Sequence, residues 1–130
     1  MATTPEGKVK AKVKARLKEL GAYQFWPVQT GRGAATLDCL GGYRGVFFAV
    51  ETKKDSKSQM TARQRMTATD MIDKGLIVAV VYDSATLEEF IARLNLAARF
   101  APPASTPVVW TGYHHQPLMQ NSPLPKVTVP

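Results

Sequence analysis

The chain has 130 residues, of which 45% are hydrophobic and 21% are charged, a composition typical of one small globular domain with an appendage. Its formal net charge of +7 indicates a polyanionic partner, for which nucleic acid is the default. The sequence argues against a membrane span and a signal peptide, and its single cysteine, Cys39, excludes an internal disulfide and fits a reducing cytoplasm.

The first predicted element is a helix over residues 6–20, ended by Gly21. Its apolar residues recur at helical spacing: Val9, Val13, Leu17 and Leu20. The other faces carry many lysines and few acids. Such a stripe is either an ordinary solvated face or a contact surface for the DNA backbone, and we expect the second. The contact residues expected on this helix are Lys8, Lys12 and Arg16.

The next segment predicts two strands and a hairpin. Residues 23–28 predict a strand ending at Pro27, and a glycine-containing loop over 29–35 leads into a short strand over 36–40. Arg32 in this loop is either punctuation between two glycines or a phosphate contact. The apolar run 46–50 is expected to form a strand buried on both faces.

A two-residue turn at Arg44-Gly45 would place Asp38 directly opposite Glu51 on neighbouring strands. Opposed residues have Cβ atoms roughly 4.5–5.5 Å apart, and Lys53 falls on the same face as Glu51. Two acids so close repel each other unless a cation lies between them. Oxygen ligands of this kind suit Mg²⁺, which predicts a metal-dependent phosphodiester hydrolase. The alternative is a cross-strand charge pattern on a solvated face.

The second half of the domain predicts a helix, a strand and a helix. Thr61 is the expected N-cap of a helix that runs to about Lys74. The apolar strand over 76–82 should then lie parallel to the strand over 46–52 through a right-handed crossover. A third helix follows Asp83-Ser84, and the domain ends near Leu96. We therefore expect one folded domain over 1–96 and a tail over 97–130.

The tail has a different composition, with seven of the nine prolines of the chain. This favours an extended or weakly ordered segment. His114-His115 is either a loose histidine pair, which we favour, or an auxiliary metal or nucleic-acid contact. Trp110 and Tyr113 either stack on a base or pack against a partner subunit, and the sequence does not separate these alternatives.

Asp38, Glu51-Thr52-Lys53 and Thr61-Ala62-Arg63-Gln64 occur in an order that resembles the PD-(D/E)xK nuclease superfamily, and more narrowly its VRR-Nuc branch. Gly31-Arg32-Gly33 before the aspartate and Tyr82-Asp83-Ser84 before the last helix add to the resemblance. It covers roughly residues 6–94. Leu37 stands where the family usually has a proline, a difference that affects entry into the strand and removes no metal ligand.

The resemblance implies an α/β fold with a restriction-endonuclease-like core, α-β-β-β-α-β-α, in which helices flank a mixed sheet. It implies that Asp38, Glu51 and the backbone carbonyl of Thr52 bind Mg²⁺ or Mn²⁺. Lys53 would orient or deprotonate the attacking water and neutralise charge on the phosphate, and Gln64 would support the water or a metal-bound group. Glu6 resembles the acid of the first helix in this family, although a helix N-terminus favours an acid anyway.

The predicted function is a metal-dependent endonuclease that cuts branched or structured DNA, as a junction resolvase does, encoded by a phage and acting in the host cytoplasm. Three alternatives stay open: a DNA-binding module that does not cut, a flap or general structure-selective nuclease, and a sequence-specific restriction-type enzyme. We expect a homodimer, because paired incision needs two sites. The exposed-looking aromatic residues Tyr23, Phe25 and Trp26 and the tail would form its interface. The full set of expected DNA contacts is Lys8, Lys12, Arg16, Arg32, Arg44 and Lys54.

Overall fold

The computed structural model describes residues 3–29 and 31–101, which form three helices and one four-stranded sheet. In chain order the elements are α1 (Pro5–Leu20), β1 (Tyr23–Phe25), β2 (Cys39–Tyr43), β3 (Val46–Thr52), α2 (Ala62–Asp73), β4 (Ile77–Val81) and α3 (Ser84–Phe100). This order confirms the α/β class and the α-β-β-β-α-β-α arrangement predicted from the sequence. The predictions for Trp110, Tyr113 and His114-His115 concern residues outside the described ranges.

The sheet has the strand order β1-β2-β3-β4 and is mixed, as predicted. The β1/β2 and β2/β3 pairs are antiparallel, whereas β3 and β4 are parallel and joined through α2. Helices α1 and α3 pack their apolar sides against one face, around the fully buried Phe48 and Val50 of β3. Helix α2 covers part of the other face through Ala68, which packs near Leu37 and Ala49.

The β2–β3 hairpin has the register expected from the sequence. Tyr43 lies opposite Val46 and Cys39 lies opposite Val50. The two turn residues between them, Arg44 and Gly45, have φ values of 47° and 84°, as a type I′ turn requires. One step beyond the last pair, at the open end of the hairpin, stand the two acids of the predicted site.

The first two strands differ from their predicted limits. β1 is a strand of three residues, and β2 covers residues 39–43 where 36–40 was expected. The reason is the tight turn, because a two-residue hairpin connection requires pairing right up to the residues that flank it. β2 therefore lies closer to the turn than expected, and residues 36–38 lead into it.

Helix α3 continues to Phe100, so the expected domain limit at Leu96 lies inside this helix. Ala97 and Ala98 are good helix formers and extend the element. Ala101 then adopts an extended conformation, φ −70° and ψ 144°. This conformation fits the residue before Pro102, because the proline ring disfavours the helical region in the residue that precedes it.

The exposure of the aromatic residues also corrects two expectations. Phe47 of β3 is 69% exposed, so this strand is buried on both faces only in its later part. Tyr23 and Phe25 are exposed as expected, but Trp26 is half-buried and packs on the core under α1, where Lys14 lies over its ring. In the described part of the chain, no helix has the length and apolarity needed to cross a membrane.

Candidate active site

Asp38 sits at the entry to β2, where donors from three other segments reach its carboxylate. Its Oδ2 atom accepts hydrogen bonds from the backbone N–H and the side-chain hydroxyl of Thr52, at 2.9 and 2.7 Å. Its Oδ1 atom accepts one from Gln29 at 3.2 Å and lies 3.9 Å from the ammonium of Lys10. These contacts fix the aspartate at the end of the β2–β3 hairpin.

Glu51 lies next to Asp38, near the end of β3, and is only 3% exposed. Its Oε1 atom accepts a hydrogen bond from the backbone N–H of Asp38 at 3.2 Å. Its Oε2 atom accepts one from the side-chain amide of Gln64 at 2.6 Å. The two acids are therefore coupled through the backbone, as expected of the pair that follows Cys39 and Val50 in the register.

Lys53 and Gln64 complete a connected network with Glu51. The ammonium of Lys53 donates to Oε1 of Gln64 at 2.9 Å and lies 3.6 Å from Oε2 of Glu51. Gln64 also forms a capping box with Thr61 at the start of α2, which holds the amide at this position. Gln64 therefore bridges a buried carboxylate and a lysine.

The environment of the Glu51 carboxyl disfavours its charged form. Burial, together with the nearby charge of Asp38, raises its pKa to about 7 despite the opposing effect of Lys53. A buried carboxylate that one lysine does not fully compensate favours either a proton or a metal cation. This is the electrostatic condition expected of a site built to hold a divalent ion.

The donor set fits Mg²⁺ or Mn²⁺. Oδ1 of Asp38 and Oε1 of Glu51 each accept one hydrogen bond, which leaves capacity on both atoms. Among the described residues there is no group of three or more His, Cys, Asp and Glu side chains that could hold a metal. Two carboxylates therefore need further oxygen ligands from the backbone or water, which is usual for Mg²⁺. The carbonyl of Thr52 remains a predicted ligand.

Glu6, the remaining predicted catalytic acid, is half-buried in the first turn of α1. Within residues 3–29 and 31–101, no hydrogen bond or ion pair links it to Asp38 or Glu51. It lies one helical turn before Lys10, the residue of α1 that does approach Asp38. The structure therefore places Glu6 on the site side of α1 but outside the connected network.

Sequence reasoning missed Lys10, Gln29 and the hydroxyl of Thr52. Lys10 was one lysine among many on a basic helix, and only the packing of α1 against the sheet brings it to Asp38. Gln29 belongs to the loop after β1, for which no periodicity exists. The hydroxyl of Thr52 had a usable signal, because this residue follows Glu51 on a strand whose register already placed Asp38 alongside.

Three of the predicted DNA contacts share one cleft beside the site. Lys8 and Lys12, one turn apart on α1, and Lys54, which follows Lys53, line it together with Tyr82 and the start of α3. Asp83 faces the same cleft as an N-cap of α3, and its pKa is lowered, chiefly by the backbone N–H of Thr86. The cleft is therefore predominantly basic.

The other three predicted contacts lie elsewhere. Arg16 forms a bidentate ion pair with Glu88 of α3, with Nε 2.9 Å from Oε2 and Nη2 3.1 Å from Oε1. Because its guanidinium links two helices, we leave Arg16 out of the DNA surface proposed below. Arg32 is exposed in the loop before β2, and Arg44 is exposed at the hairpin turn over the ring of Tyr43.

A mixed sheet flanked by helices, with an aspartate, a Glu-x-Lys strand end and a helix glutamine meeting at one edge, defines the PD-(D/E)xK-type nuclease fold. A solved structure described as a VRR_NUC domain has this fold with a TM-score of 0.61 and 27% sequence identity, covering 68% of this chain and 96% of its own. No family model matches the sequence, and no curated protein is significantly similar to it. The structural similarity confirms the predicted resemblance to the VRR-Nuc family.

Proposed function

We propose that this protein is a Mg²⁺- or Mn²⁺-dependent DNA endonuclease that hydrolyses phosphodiester bonds in branched or structured DNA. The observation that carries the proposal is the connected network of Asp38, Glu51, Lys53 and Gln64 at one edge of the sheet. A solvated charge pattern would not bury Glu51 to 3% exposure beside a second acid.

Each residue of the network has a role that follows from its contacts. Asp38 and Glu51 supply the carboxylate oxygens that would hold the metal, and Thr52 holds Asp38 in place. Lys53 places its ammonium 3.6 Å from Oε2 of Glu51, so it would orient the attacking water and neutralise charge that develops on the phosphate. Gln64 keeps the ammonium of Lys53 beside Glu51. A bound divalent ion lowers the pKa of its water and polarises the phosphoryl oxygen.

The basic cleft next to this network supports DNA as the substrate. Lys8 and Lys12 of α1 and Lys54 after β3 converge there, so a phosphate backbone that crosses the cleft would pass the residue next to Lys53. The net charge of +7 favours the same kind of partner. We propose these three lysines as backbone contacts, with Arg32 and Arg44 as more distant ones.

We also propose a homodimer, because one domain has one site and paired incision of a junction needs two sites related by a two-fold axis. Light scattering of the full chain at micromolar concentration tests this, with twice the chain mass expected. A monomer that makes only single incisions would leave a general structure-selective or flap nuclease. The phage origin and the cytoplasmic location remain proposals, supported by the resemblance and by the buried, unpaired Cys39.

The test is a cleavage assay of the purified full chain on duplex, nicked, flapped, forked and four-way DNA, with Mg²⁺, Mn²⁺ or EDTA. We expect metal-dependent cleavage that prefers branched substrates and is abolished by EDTA. Matched binding measurements on each substrate, made in Ca²⁺ or EDTA, separate failure to bind from failure to cut. Binding without cleavage in any metal would contradict the proposal and leave the non-cleaving DNA-binding module.

A further inference from the structure

A second surface lies on the same sheet face as Glu51 but at the turn end of the hairpin. Phe47 is 69% exposed there, Tyr23 72% and Phe25 51%. They line an apolar groove of about 490 Å³ whose floor includes the side-chain-free strand residues Gly41 and Gly42. We name it the aromatic groove. Helix α2 packs on this sheet face near Ala49, and among the described residues no helix lines the groove.

The chain itself leads to this groove. A β-carbon built on Gly45, one of the lining residues, would lie 3.5 Å from Cβ of Ala101. Ala101 is the last described residue, so residues 102–130 begin beside the rim of the groove. Neighbouring strands lie about 4.8 Å apart, and an extended chain advances about 3.3 Å per residue. A few residues are enough to cross from the hairpin turn to β1.

The composition of this segment matches what an aromatic groove recognises. Seven of the nine prolines of the chain occur between Pro102 and Pro130, and Lys126 is the segment's single Lys, Arg, Asp or Glu. Proline-rich segments dock in aromatic-lined grooves because a preformed polyproline II conformation has little entropy left to lose. We propose that the proline-rich C-terminal segment of this same chain occupies the aromatic groove.

The C-terminal segment, docked in the aromatic groove, would cover exposed apolar surface without reaching Asp38 or Glu51. Phe47 and Glu51 are four residues apart on β3, which is about 13 Å along a strand. The docked segment would therefore leave Glu51 and Lys53 open to DNA. It also gives Tyr23 and Phe25 a partner other than a second copy, so the proposed dimer would use a different surface.

Photo-cross-linking in the full chain tests the proposal. A benzoylphenylalanine at position 47 replaces a side chain that is largely exposed, and the same group at Met66, 74% exposed on α2, serves as the control. An equal mixture of ¹⁴N- and ¹⁵N-labelled protein distinguishes links within one chain from links between copies. We expect position 47 to link to residues 102–130 of the same chain and position 66 not to do so.

A second variant shows whether the groove holds the segment. Tyr23→Ala should lower the cross-link yield from position 47 several-fold, whereas Ile72→Ala, an exposed apolar residue of α2, should leave it unchanged. Links of mixed isotopic composition would assign the groove to a second copy and overturn the proposal. Links to added DNA in place of the segment, or no link to residues 102–130, would overturn it as well.

Discussion

The ionisation of Glu51 makes the stability of the folded protein depend on pH. Burial and the charge of Asp38 raise its pKa to about 7, well above the value of about 4.3 expected in the unfolded chain. The folded state therefore binds a proton that the unfolded state has already lost in this range. Through this group, the free energy of unfolding falls as the pH rises from about 4.3 to about 7 and changes little above that.

This sign leads to a measurable pH dependence. In EDTA, raising the pH from 5 to 8 should cost the wild-type protein about 2 kcal/mol of unfolding free energy through this group. Glu51→Gln removes the titration, so its stability relative to wild type should rise by a similar amount over the same range. Denaturant unfolding at several pH values measures this.

The exposed acid Glu89 on α3 supplies the control, because Glu89→Gln should keep the wild-type slope. Asp55, Asp83 and Glu88 have lowered pKa values, so they titrate below this window. If the unfolding free energy of Glu51→Gln depends on pH as that of wild type does, burial and Asp38 do not raise the pKa of Glu51.

Gln64 has two functions that substitutions can separate. Gln64→Glu keeps an oxygen for Thr61 and Lys53 but places a second carboxylate against Glu51, where an amide N–H now donates. We expect it to lower cleavage at least tenfold with little change in helix capping. Thr61→Ala removes the cap, at about 1 kcal/mol of stability, and should leave the cleavage rate near that of wild type.

Steady-state cleavage and thermal unfolding of the two variants give the comparison. If both lose activity in proportion to their loss of stability, Gln64 serves only to cap α2. A loss of cleavage in Gln64→Glu alone supports its place in the site.

At the scale of elements, β2 is fitted tightly between its neighbours. A β-carbon on Gly41 would lie 2.2 Å from the carbonyl oxygen of Tyr23 and 2.3 Å from the ring of Phe48. On the adjacent Gly42 the nearest atoms would be 3.8 Å away. The two glycines therefore differ in what they tolerate, although they are neighbours in one strand.

Gly41→Ala should destabilise the protein by about 3 kcal/mol or prevent folding, because both the β1 backbone and a core ring would have to move. Gly42→Ala should change stability by less than about 1 kcal/mol. Chemical denaturation measures both. Equal effects of the two substitutions would contradict the close approach of β1 to Gly41.

The elements were largely predictable, and the reasons are local. Periodicity and caps located the three helices, since Gly21, Thr61 and Asp83 act through adjacent backbone groups. The ends of β1 and β2 could not be predicted from the local sequence, because pairing with a neighbouring strand sets them. In the site, Asp38, Glu51 and Lys53 followed from register, whereas Lys10 and Gln29 depend on tertiary packing that no local pattern encodes.

At the scale of the whole molecule, the basic residues differ in whether they are available to bind DNA. The basic cleft gathers Lys8, Lys12 and Lys54, whereas Arg16 is neutralised by Glu88. Replacing the three lysines by alanine should weaken binding to all DNA sequences alike. It should also reduce the slope of log affinity against log salt by up to about 3, because each phosphate contact releases about 0.9 counterions.

A control variant with the same change in net charge replaces three basic residues at the C-terminal ends of the three helices: Lys18 of α1, Lys74 just after α2 and Arg99 of α3. Salt titrations of DNA binding compare the two triple variants. We expect the control to keep most of the wild-type slope. Equal losses in both would mean that net charge, rather than the cleft, attracts DNA.

Asp38, Glu51 and Lys53 are proposed to perform the hydrolysis together. The most direct measurement is single-turnover cleavage of a four-way junction in Mg²⁺ by wild type, Lys53→Ala and the control Lys57→Ala, an exposed loop lysine. We predict that Lys53→Ala lowers the rate by two or more orders of magnitude while junction affinity in EDTA changes less than threefold, and that Lys57→Ala cuts normally. Wild-type cleavage by Lys53→Ala would contradict the account.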